Sequence, residues 1–419
     1  MKRSLFFLLA MGLLFSACMK DSVKEHYTFY RPVYHTRDEV RNNIKSSTPV
    51  PIQQTGKIVV KDNYVFLNEI DKGIHVINMA DPSKPVNMAF IEIPGCVDLA
   101  INGVNLYADC YTDLVTLDIS NPANISVKQF LPGVFPNRIY NSFRPDTTKI
   151  ITEWVKVDTV IEKRFEGTFA KDGLLVSPML FMSLGNAGAA FSAMSSSGIA
   201  IAGSLARFAL QNDRMYTVSN NDLKVFNVTI PAAPSYVTKL ALTQGGIETI
   251  FPYKNKLFIG AQTGMYIYGT SNPDAPQKEG QFVHAQNCDP VIVDDKYAYV
   301  TLSSGNACRG GFQNQMDVID ISNLSNPVLV KSYNLTSPKG LSKDGNTLLI
   351  CDGKDGLKIF NASNASQVSL MKQVPGFEPN DVIALQGIAI AVAKDGLYFI
   401  DYSNPYNASV ISKIQITKN

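Results

Sequence analysis

Histidine is scarce in this sequence, and the short motifs that mark common catalytic sites are missing. The chain has four histidines, and no two have the spacing of metal ligands: His26, His35, His75 and His284. Zinc and blue-copper sites are therefore not expected. No Gly-x-Ser-x-Gly elbow, phosphate-binding glycine loop or His-Glu-x-x-His motif occurs. The sequence predicts no cofactor and no metal, and it indicates no catalytic residue.

A strong charge of either sign is also missing. The chain has 38 Lys and Arg against 36 Asp and Glu, a formal net charge of +2, without a long basic run. Because binding to phosphates requires clustered cations, nucleic acid is excluded as a partner. Hydrophobic residues occupy 45% of the 419 positions, so the chain can bury a large core.

An apolar run near the N-terminus is too short to cross a bilayer as a helix. It covers residues 5–14, follows Lys2 and Arg3, and leads into Phe15-Ser16-Ala17-Cys18. Residues 1–17 are therefore predicted to be a signal peptide. The last four residues resemble the lipobox of bacterial lipoproteins, which implies that Cys18 is acylated and anchors the protein in a membrane. The alternative is an ordinary secretory signal in which Cys18 is incidental.

The residues after Cys18 bear on where the protein is exported. Met19-Lys20-Asp21 is similar to the lipoprotein export signals of the Bacteroidetes. This similarity implies an outer membrane lipoprotein that faces outward. Without such a signal the anchored protein would face the periplasm. The sequence does not decide between the cell surface and the periplasmic side of the membrane.

Internal repeats are the strongest pattern in the chain. Seven related phrases, such as LVTLDISNPANI from Leu114 and MDVIDISNLSNP from Met316, recur along it. One marker position in each phrase is held by Pro82, Pro122, Pro231, Pro273, Leu324, Ala365 and Pro405. These markers are separated by 40, 109, 42, 51, 41 and 40 residues. The period predicts a repeat architecture with two interruptions.

Each repeat alternates apolar and polar residues over four short runs that are bounded by turn residues. This pattern predicts a four-stranded antiparallel meander. Seven such sheets can cover one another's faces only when they are arranged radially, so the fold class is all-β, a single seven-bladed β-propeller. The phrases resemble the LVIVD-repeat propeller proteins of bacteria and archaea over most of residues 56–419. The resemblance implies the fold and says little about function.

The segment ahead of the propeller is predicted to be a tether. It covers residues 18–55 between the anchor and the first blade. Thr36 and Glu39 have the spacing of a capping box, which predicts a short helix through Ile44. Whether this segment or the C-terminal strand, residues 410–417, closes the ring is not decided by the pattern.

Both interruptions are predicted to lie on one face of the ring. One is an insertion at about residues 136–203, between the fourth strand of blade 2 and the first of blade 3. The other, Ser303 to Gln315, separates the second and third strands of blade 5. These two kinds of connection share one end of a radial meander. Long loops on a rigid scaffold are often functional, so this loop-rich face is the predicted binding face.

The large insertion has two parts of different character. Residues 154–160 alternate like an exposed strand and include the only tryptophan of the chain. Residues 173–206 carry no charge and are rich in small residues. A flexible or channel-covering loop is favoured for this second part over a membrane-spanning helix, because Pro178 and several glycines disfavour a helix.

The cysteines allow two disulfides. Cys288 and Cys308 both fall at the loop-rich end of blade 5, and we expect them to form a bridge that braces the inserted loop. Cys96 and Cys110 flank a turn almost symmetrically, so they are either bridged or, as favoured here, buried free thiols.

Polar residues near the starts of the first strands are the candidate ligand-contacting residues. The repeat register places Asp98, Arg207, Glu248, Asp289 and Asp381 around the channel mouth, with Asn306 and Arg309 from the loop of blade 5. They could hold a sugar, a peptide or a cation. The alternative is that they are solvated residues at strand ends. Residues 352–356 only faintly match a calcium loop, and a hairpin turn is expected there.

The sequence favours a non-catalytic, lipid-anchored scaffold that binds an unknown protein, peptide or glycan at the bacterial cell envelope. Two alternatives remain. One is a hydrolase or lyase acting on envelope glycans or peptides, in which two carboxylates at the channel mouth serve as acid and base. The other is a purely structural envelope protein.

Overall fold

The computed structural model describes residues 22–139, 143–164, 201–204, 206–242, 246–283, 290–304 and 314–417. Six of the predicted site residues lie outside this described part: Cys18, Cys288, Asp289, Asn306, Cys308 and Arg309. The predicted anchor and the predicted Cys288–Cys308 bridge therefore remain predictions.

The chain forms two compact units, of which the smaller contains residues 1–34 and 151–181. Its described part is a two-stranded ribbon. One strand is β1 (Ser22–His35), and the other is β11 (Ile150–Arg164), which belongs to the insertion and is numbered by its place in the chain. The hydroxyl of Thr28 donates to Asp158 Oδ1 at 2.5 Å across this ribbon. The exposed strand predicted for residues 154–160 is confirmed.

The larger unit contains residues 35–150 and 182–419, and it begins with the predicted helix. This helix, α1 (Arg37–Arg41), has a complete capping box. The Thr36 amide donates to Glu39 Oε2 at 2.7 Å, and the Glu39 amide donates to Thr36 Oγ1 at 3.2 Å. The helix ends three residues before the predicted Ile44, because the chain turns there into β2 (Lys45–Ser47).

Seven four-stranded antiparallel sheets confirm the predicted blades. Blade 1 contains β3 (Thr55–Lys61), β4 (Tyr64–Glu69), β5 (Gly73–Asn78) and β6 (Val86–Glu92). Blade 2 contains β7 (Leu99–Asn102), β8 (Asn105–Cys110), β9 (Asp113–Asp118) and β10 (Ser126–Leu131). After the short strand β12 (Ile201–Ala202), blade 3 contains β13 (Phe208–Gln211), β14 (Arg214–Val218), β15 (Asp222–Asn227) and β16 (Ser235–Ala241). Blade 4 contains β17 (Ile247–Tyr253), β18 (Lys256–Ala261), β19 (Gly264–Gly269) and β20 (Gln277–Val283). Blade 5 contains β21 (Val291–Val293), β22 (Tyr297–Leu302), β23 (Gln315–Asp320) and β24 (Val328–Asn334). Blade 6 contains β25 (Leu341–Asp344), β26 (Thr347–Cys351), β27 (Leu357–Asn361) and β28 (Ser369–Val374). Blade 7 contains β29 (Pro379–Leu385), β30 (Ile388–Ala393), β31 (Gly396–Asp401) and β32 (Ser409–Gln415). Single 3-10 turns cover Gly353–Asp355, Ala365–Gln367 and Pro405–Asn407.

Two-residue hairpins set the register between the first and second strands of the blades. In blade 3, Gln211 pairs with Arg214 around Asn212 and Asp213, whose φ angles are 50° and 53°. Asn and Asp tolerate this left-handed region better than most residues, and the resulting turn matches the twist of the strands. The turn residues in the repeats therefore act as the sequence predicts.

The ring closes without any exchange of strands between blades. The first strands of neighbouring blades contact one another around the centre, and β29 of blade 7 contacts β3 of blade 1. Ile58, Val65, Ile383 and Phe399 belong to one buried cluster that joins these two blades. The Thr417 amide donates to the Ile52 carbonyl at 2.8 Å. Closure therefore rests on side-chain packing and local hydrogen bonds, and β2 only extends blade 1 at its outer strand.

A repeated hydrogen bond links neighbouring blades at the marker position. In five blades the marker carbonyl accepts from a hydroxyl group that belongs to the preceding blade or to the β2 strand beside it. The pairs are Pro82 O with Ser412 Oγ at 2.5 Å, Pro122 O with Ser46 Oγ at 3.0 Å, Pro231 O with the Tyr107 hydroxyl at 2.7 Å, Pro273 O with the Tyr216 hydroxyl at 3.0 Å, and Ala365 O with the Tyr333 hydroxyl at 3.1 Å. The marker thus contributes an acceptor between blades in addition to its role in the turn.

We expect Tyr216→Phe to lower the free energy of unfolding by about 1 kcal/mol, because it removes one of these bonds and leaves a carbonyl without its donor. Tyr236→Phe is the matched control, since Tyr236 lies in the same blade but is 55% exposed. Denaturant titration of both variants measures the difference. Equal stability of the two variants would show that the hydroxyl bond does not stabilise the ring.

Candidate functional site

The predicted channel residues occupy one repeated position at the start of the first strands. Asp98, Arg207 and Asp381 each stand at this register position in a different blade, and Lys57 holds it in blade 1. In blade 4 Thr249 holds it, and Glu248 precedes Thr249 at a bulge of β17. Sequence reasoning missed Lys57. Alignment of the repeats reveals it, because Lys57 precedes Ile58 as Asp98 precedes Leu99.

Asp98 is the centre of a buried charge network between blades 1, 2 and 3. Its Oδ2 atom accepts from Lys57 Nζ at 2.8 Å and from the Arg207 amide at 2.7 Å. Its Oδ1 atom accepts from the Leu99 amide at 2.8 Å. Burial lowers the pKa of Lys57, and the neighbouring Asp98 carboxylate opposes that shift. Both Asp98 oxygens are therefore engaged inside the protein rather than solvated.

Arg207 and Glu248 continue this ring into blade 4. The Arg207 Nε atom donates to the Glu248 carbonyl at 3.4 Å, and Glu248 Oε1 accepts from Gln262 Nε2 at 3.3 Å. Glu248 is 7% exposed. The interpretation of these positions as solvated strand ends does not fit such burial.

Asp381 differs from Asp98 in having one oxygen without a partner. Its Oδ1 atom accepts from the Val382 amide at 2.6 Å, and its buried Oδ2 atom has no hydrogen-bond partner among the described residues. Burial raises the pKa of Asp381 well above its ordinary value, because it disfavours the charged form. Gly340 holds the equivalent position in blade 6, where a Cβ atom would come within 2.8 Å of Asp381 Oδ1.

The described end of the uncharged segment lies at the inner edge of the ring, while the flexible or channel-covering loop was predicted mainly for residues outside the described part. β12 pairs with the inner edge of β3, with Ile201 opposite Val60. The Gly203 amide donates to Ile58 O at 3.1 Å, and Ser204 Oγ accepts from the Leu341 amide at 3.3 Å. This segment therefore contacts blades 1 and 6 before it enters blade 3.

A spanning helix was the less favoured alternative for this segment. Residues 201–202 form a strand, and no helix in the described part of the chain is long and apolar enough to cross a membrane.

A second cluster on the loop-rich face joins the start of the insertion to blades 1 and 2. Arg138 pairs with Asp71, donates to the Gly95 carbonyl at 2.5 Å and lies 5.3 Å from the centre of the Tyr111 ring. Its Nη2 atom is 3.9 Å from Asp109 Oδ2. Residue patterns do not reveal this cluster, because Arg138 has no counterpart in the other repeats.

Asp109 connects this cluster to the channel ring. Its Oδ1 atom accepts from the amides of Val97 and Asp98 at 2.8 and 2.9 Å. Burial raises the pKa of Asp109 to about 6, while Arg138 opposes the shift.

Helix α1 is held on the same face. The Asp113 carboxylate accepts hydrogen bonds from Arg41 Nη2 at 2.6 Å, from Arg37 Nε at 3.3 Å and from the Gly133 amide at 3.1 Å. The tether, the second blade and the start of the insertion are thus joined by one buried carboxylate.

The cysteines in the described part of the chain are free and buried: Cys96, Cys110 and Cys351. Cys96 and Cys110 do not form the bridge that the sequence allowed, and the favoured interpretation of buried thiols is confirmed. Burial raises the pKa of Cys110 to about 12, which leaves the thiol protonated.

The Asp352 turn is a hairpin connection, as predicted. Residues Gly353–Asp355 form a 3-10 turn. Lys358 Nζ contacts Asp352 Oδ2 at 2.5 Å and Asp355 Oδ2 at 2.7 Å. One lysine therefore bridges the two carboxylates.

Comparison with known families agrees with the repeat pattern. Residues 53–91, 97–130 and 286–335 match the LVIVD repeat. The chain carries LVIVD repeats. No curated protein sequence matches the chain.

Solved structures show the same fold at low sequence identity. A protein from Lactobacillus plantarum is 10% identical with a TM-score of 0.53, and the alignment covers 87% of this chain and 97% of that one. The periplasmic gluconolactonase of Pseudomonas aeruginosa is 9% identical with a TM-score of 0.52 over 90% and 97% of the two chains. Similarity at this level establishes the propeller alone.

Asp109→Asn is expected to stabilise the protein at pH 7 by up to about 3 kcal/mol. The raised pKa means that ionising the buried carboxyl destabilises the fold. This penalty is complete above about pH 6 and disappears as the pH falls toward 3.8, the ordinary value. The amide oxygen of Asn keeps the acceptor for both backbone amides.

The stability difference between Asp109→Asn and wild type should therefore shrink from pH 7 to pH 4 in denaturant titrations. Asp118→Asn is the control, because its hydrogen bonds lower the pKa of Asp118 to about 2. Its difference from wild type should stay constant between pH 5 and 7. A constant difference for Asp109→Asn as well would contradict the raised pKa.

Proposed function

We propose that this protein is a lipid-anchored binding scaffold of the bacterial cell envelope and that it engages a protein, peptide or glycan on its loop-rich face. Cys18 would carry the acyl chains in the outer membrane. The propeller would supply a rigid frame without a cofactor, and the insertion would supply the specific contacts.

The observation that carries the proposal is the attachment of the insertion to the ring at both described ends. At its start, Arg138 contacts Asp71 and the Gly95 carbonyl. At its end, residues 201–204 pair with β3 and contact Leu341. A loop whose ends are ordered before binding loses less conformational entropy when a ligand arrives.

The state of the carboxylates favours binding over hydrolysis. A glycosidase or similar hydrolase needs two carboxyl groups that face the substrate. Asp98 has both oxygens engaged by Lys57, Arg207 and Leu99. Asp381 is 1% exposed, and burial raises its pKa well above the ordinary value. These groups stabilise the channel mouth internally, and the fold shared with a lactonase does not by itself argue for catalysis.

Cys18→Ser tests the anchor. The variant should incorporate no labelled fatty acid and should leave the membrane fraction, because the buried acyl chains provide the membrane affinity. Metabolic labelling and cell fractionation measure both effects, with Cys351→Ser as the control for loss of a thiol. Unchanged labelling of Cys18→Ser would refute the lipoprotein assignment.

Capture from an envelope extract tests the binding face. In one variant a short Gly-Ser linker replaces residues 165–200, while Arg138 and residues 201–207 are retained to keep the ring contacts. A control variant carries Lys84→Ala in the exposed loop after β5, on the opposite face. A specific partner should be captured at least about tenfold less by the linker variant and equally by the control, because the proposed contacts lie in the insertion.

Thermal unfolding must first show that the linker variant remains folded. If it then captures the same components as the wild type in the same amounts, the insertion is not the binding element.

A further inference from the structure

A cleft of about 410 Å³ lies between blades 4 and 5 at the end of the ring opposite the loop-rich face. One side is the hairpin between β17 and β18, residues 253–256, and the other is the hairpin before β22 with the loop that follows β23. Its volume falls within the range of small-molecule sites. No insertion contributes to it.

The interface between blades 4 and 5 differs from the two interfaces before it. Tyr107 and Tyr216, each third in the second strand of its blade, donate to the marker carbonyl of the next blade. Blade 4 has Phe258 at this position, and the marker of blade 5 is Leu324 rather than proline. The Leu324 carbonyl lies against Gly280, where a Cβ atom would come within 1.7 Å of it. No tyrosine hydroxyl at this position therefore fills the space beside the marker loop of blade 5.

The lining combines an apolar floor with a polar rim. Tyr253 and Leu324, both only partly buried, contribute apolar surface to the cleft, and Phe258 and Ile321 lie buried beneath it. The rim carries exposed amide and hydroxyl groups that can donate and accept hydrogen bonds: Asn255, Ser271 and Ser322. An amphipathic molecule with several hydroxyl groups fits such a lining.

The ionised groups on the rim already have partners of opposite charge. Lys254 pairs with Asp295, which also accepts from the Tyr253 hydroxyl at 2.5 Å. Lys256 lies 2.7 Å from Glu279.

Asp294 completes this balance, because its Oδ2 atom lies 3.0 Å from Lys343 Nζ. A charged ligand would have to displace one of these ion pairs, whereas a neutral ligand leaves them intact.

We propose that this cleft binds a single uncharged sugar residue. The C–H face of the sugar would pack on Tyr253 and Leu324, and its hydroxyl groups would bond to Asn255, Ser271 and Ser322. The site is distinct from the loop-rich face, and it does not depend on the function proposed for that face.

Saturation-transfer NMR on the purified full chain tests the proposal with millimolar methyl glucoside and N-acetylglucosamine as neutral probes. Glucosamine and glucuronate serve as charged comparisons. We expect transfer to at least one neutral sugar and weaker transfer to both charged sugars. Absence of transfer to both neutral sugars, or stronger transfer to a charged one, would overturn the proposal.

Two variants that fill the cleft locate the binding. Phe258→Tyr restores the hydroxyl found in blades 2 and 3, and Ser322→Trp fills the cleft from its exposed rim; each should weaken binding by about tenfold. Ser363→Trp is the matched control, because Ser363 holds the same exposed loop position in blade 6. It should bind like the wild type.

Thermal unfolding shows whether each variant is folded. If Phe258→Tyr does not fold, the result with Ser322→Trp decides whether the sugar binds in the cleft. Neutral-sugar binding that survives in the folded variants, or that falls equally in Ser363→Trp, would place the sugar elsewhere and refute the proposal.

Discussion

Each blade has two apolar faces, and only the neighbouring blades can cover both of them. This requirement for mutual burial determines the rest of the structure, because a four-stranded sheet alone would leave one or both faces in water. Blades 7 and 1 meet through residues such as Ile58 and Phe399 without sharing a strand. The ring therefore depends on seven similar interfaces rather than on a single closing strand.

The hydrogen bonds from hydroxyl groups to the marker carbonyls fix the relative orientation of neighbouring blades. Apolar packing is not directional, whereas the bond from Tyr216 to Pro273 O specifies how far one blade is rotated against the next. Between blades 4 and 5, where Phe258 holds the position of Tyr216, the neighbouring loops flank a cleft. The interfaces of the ring therefore differ in the hydrogen bonds that accompany their apolar packing.

Charge at the channel is balanced within the protein. Lys57 and the Arg207 amide satisfy Asp98, and burial raises the pKa of Asp381, which favours its uncharged form. Buried charges persist only when they are paired or neutralised. The strand pairing of residues 201–202 adds backbone hydrogen bonds at the inner edge of β3. The loop-rich face therefore rests on a base that is held together by buried ion pairs and strand pairing.

The sequence alone determined the all-β class, the seven blades, the capped helix and the strand in the insertion, because periodicity and turn residues are local properties. It also brought Asp98, Arg207 and Asp381 to one register position through the repeat. Tertiary structure decided what those residues do. The pairing of Lys57 with Asp98, the burial that raises the pKa of Asp381 and the contacts of Arg138 depend on distances between segments far apart in the chain. Residue order does not encode such distances directly, because burial and the proximity of charges arise only when the blades are packed into a ring.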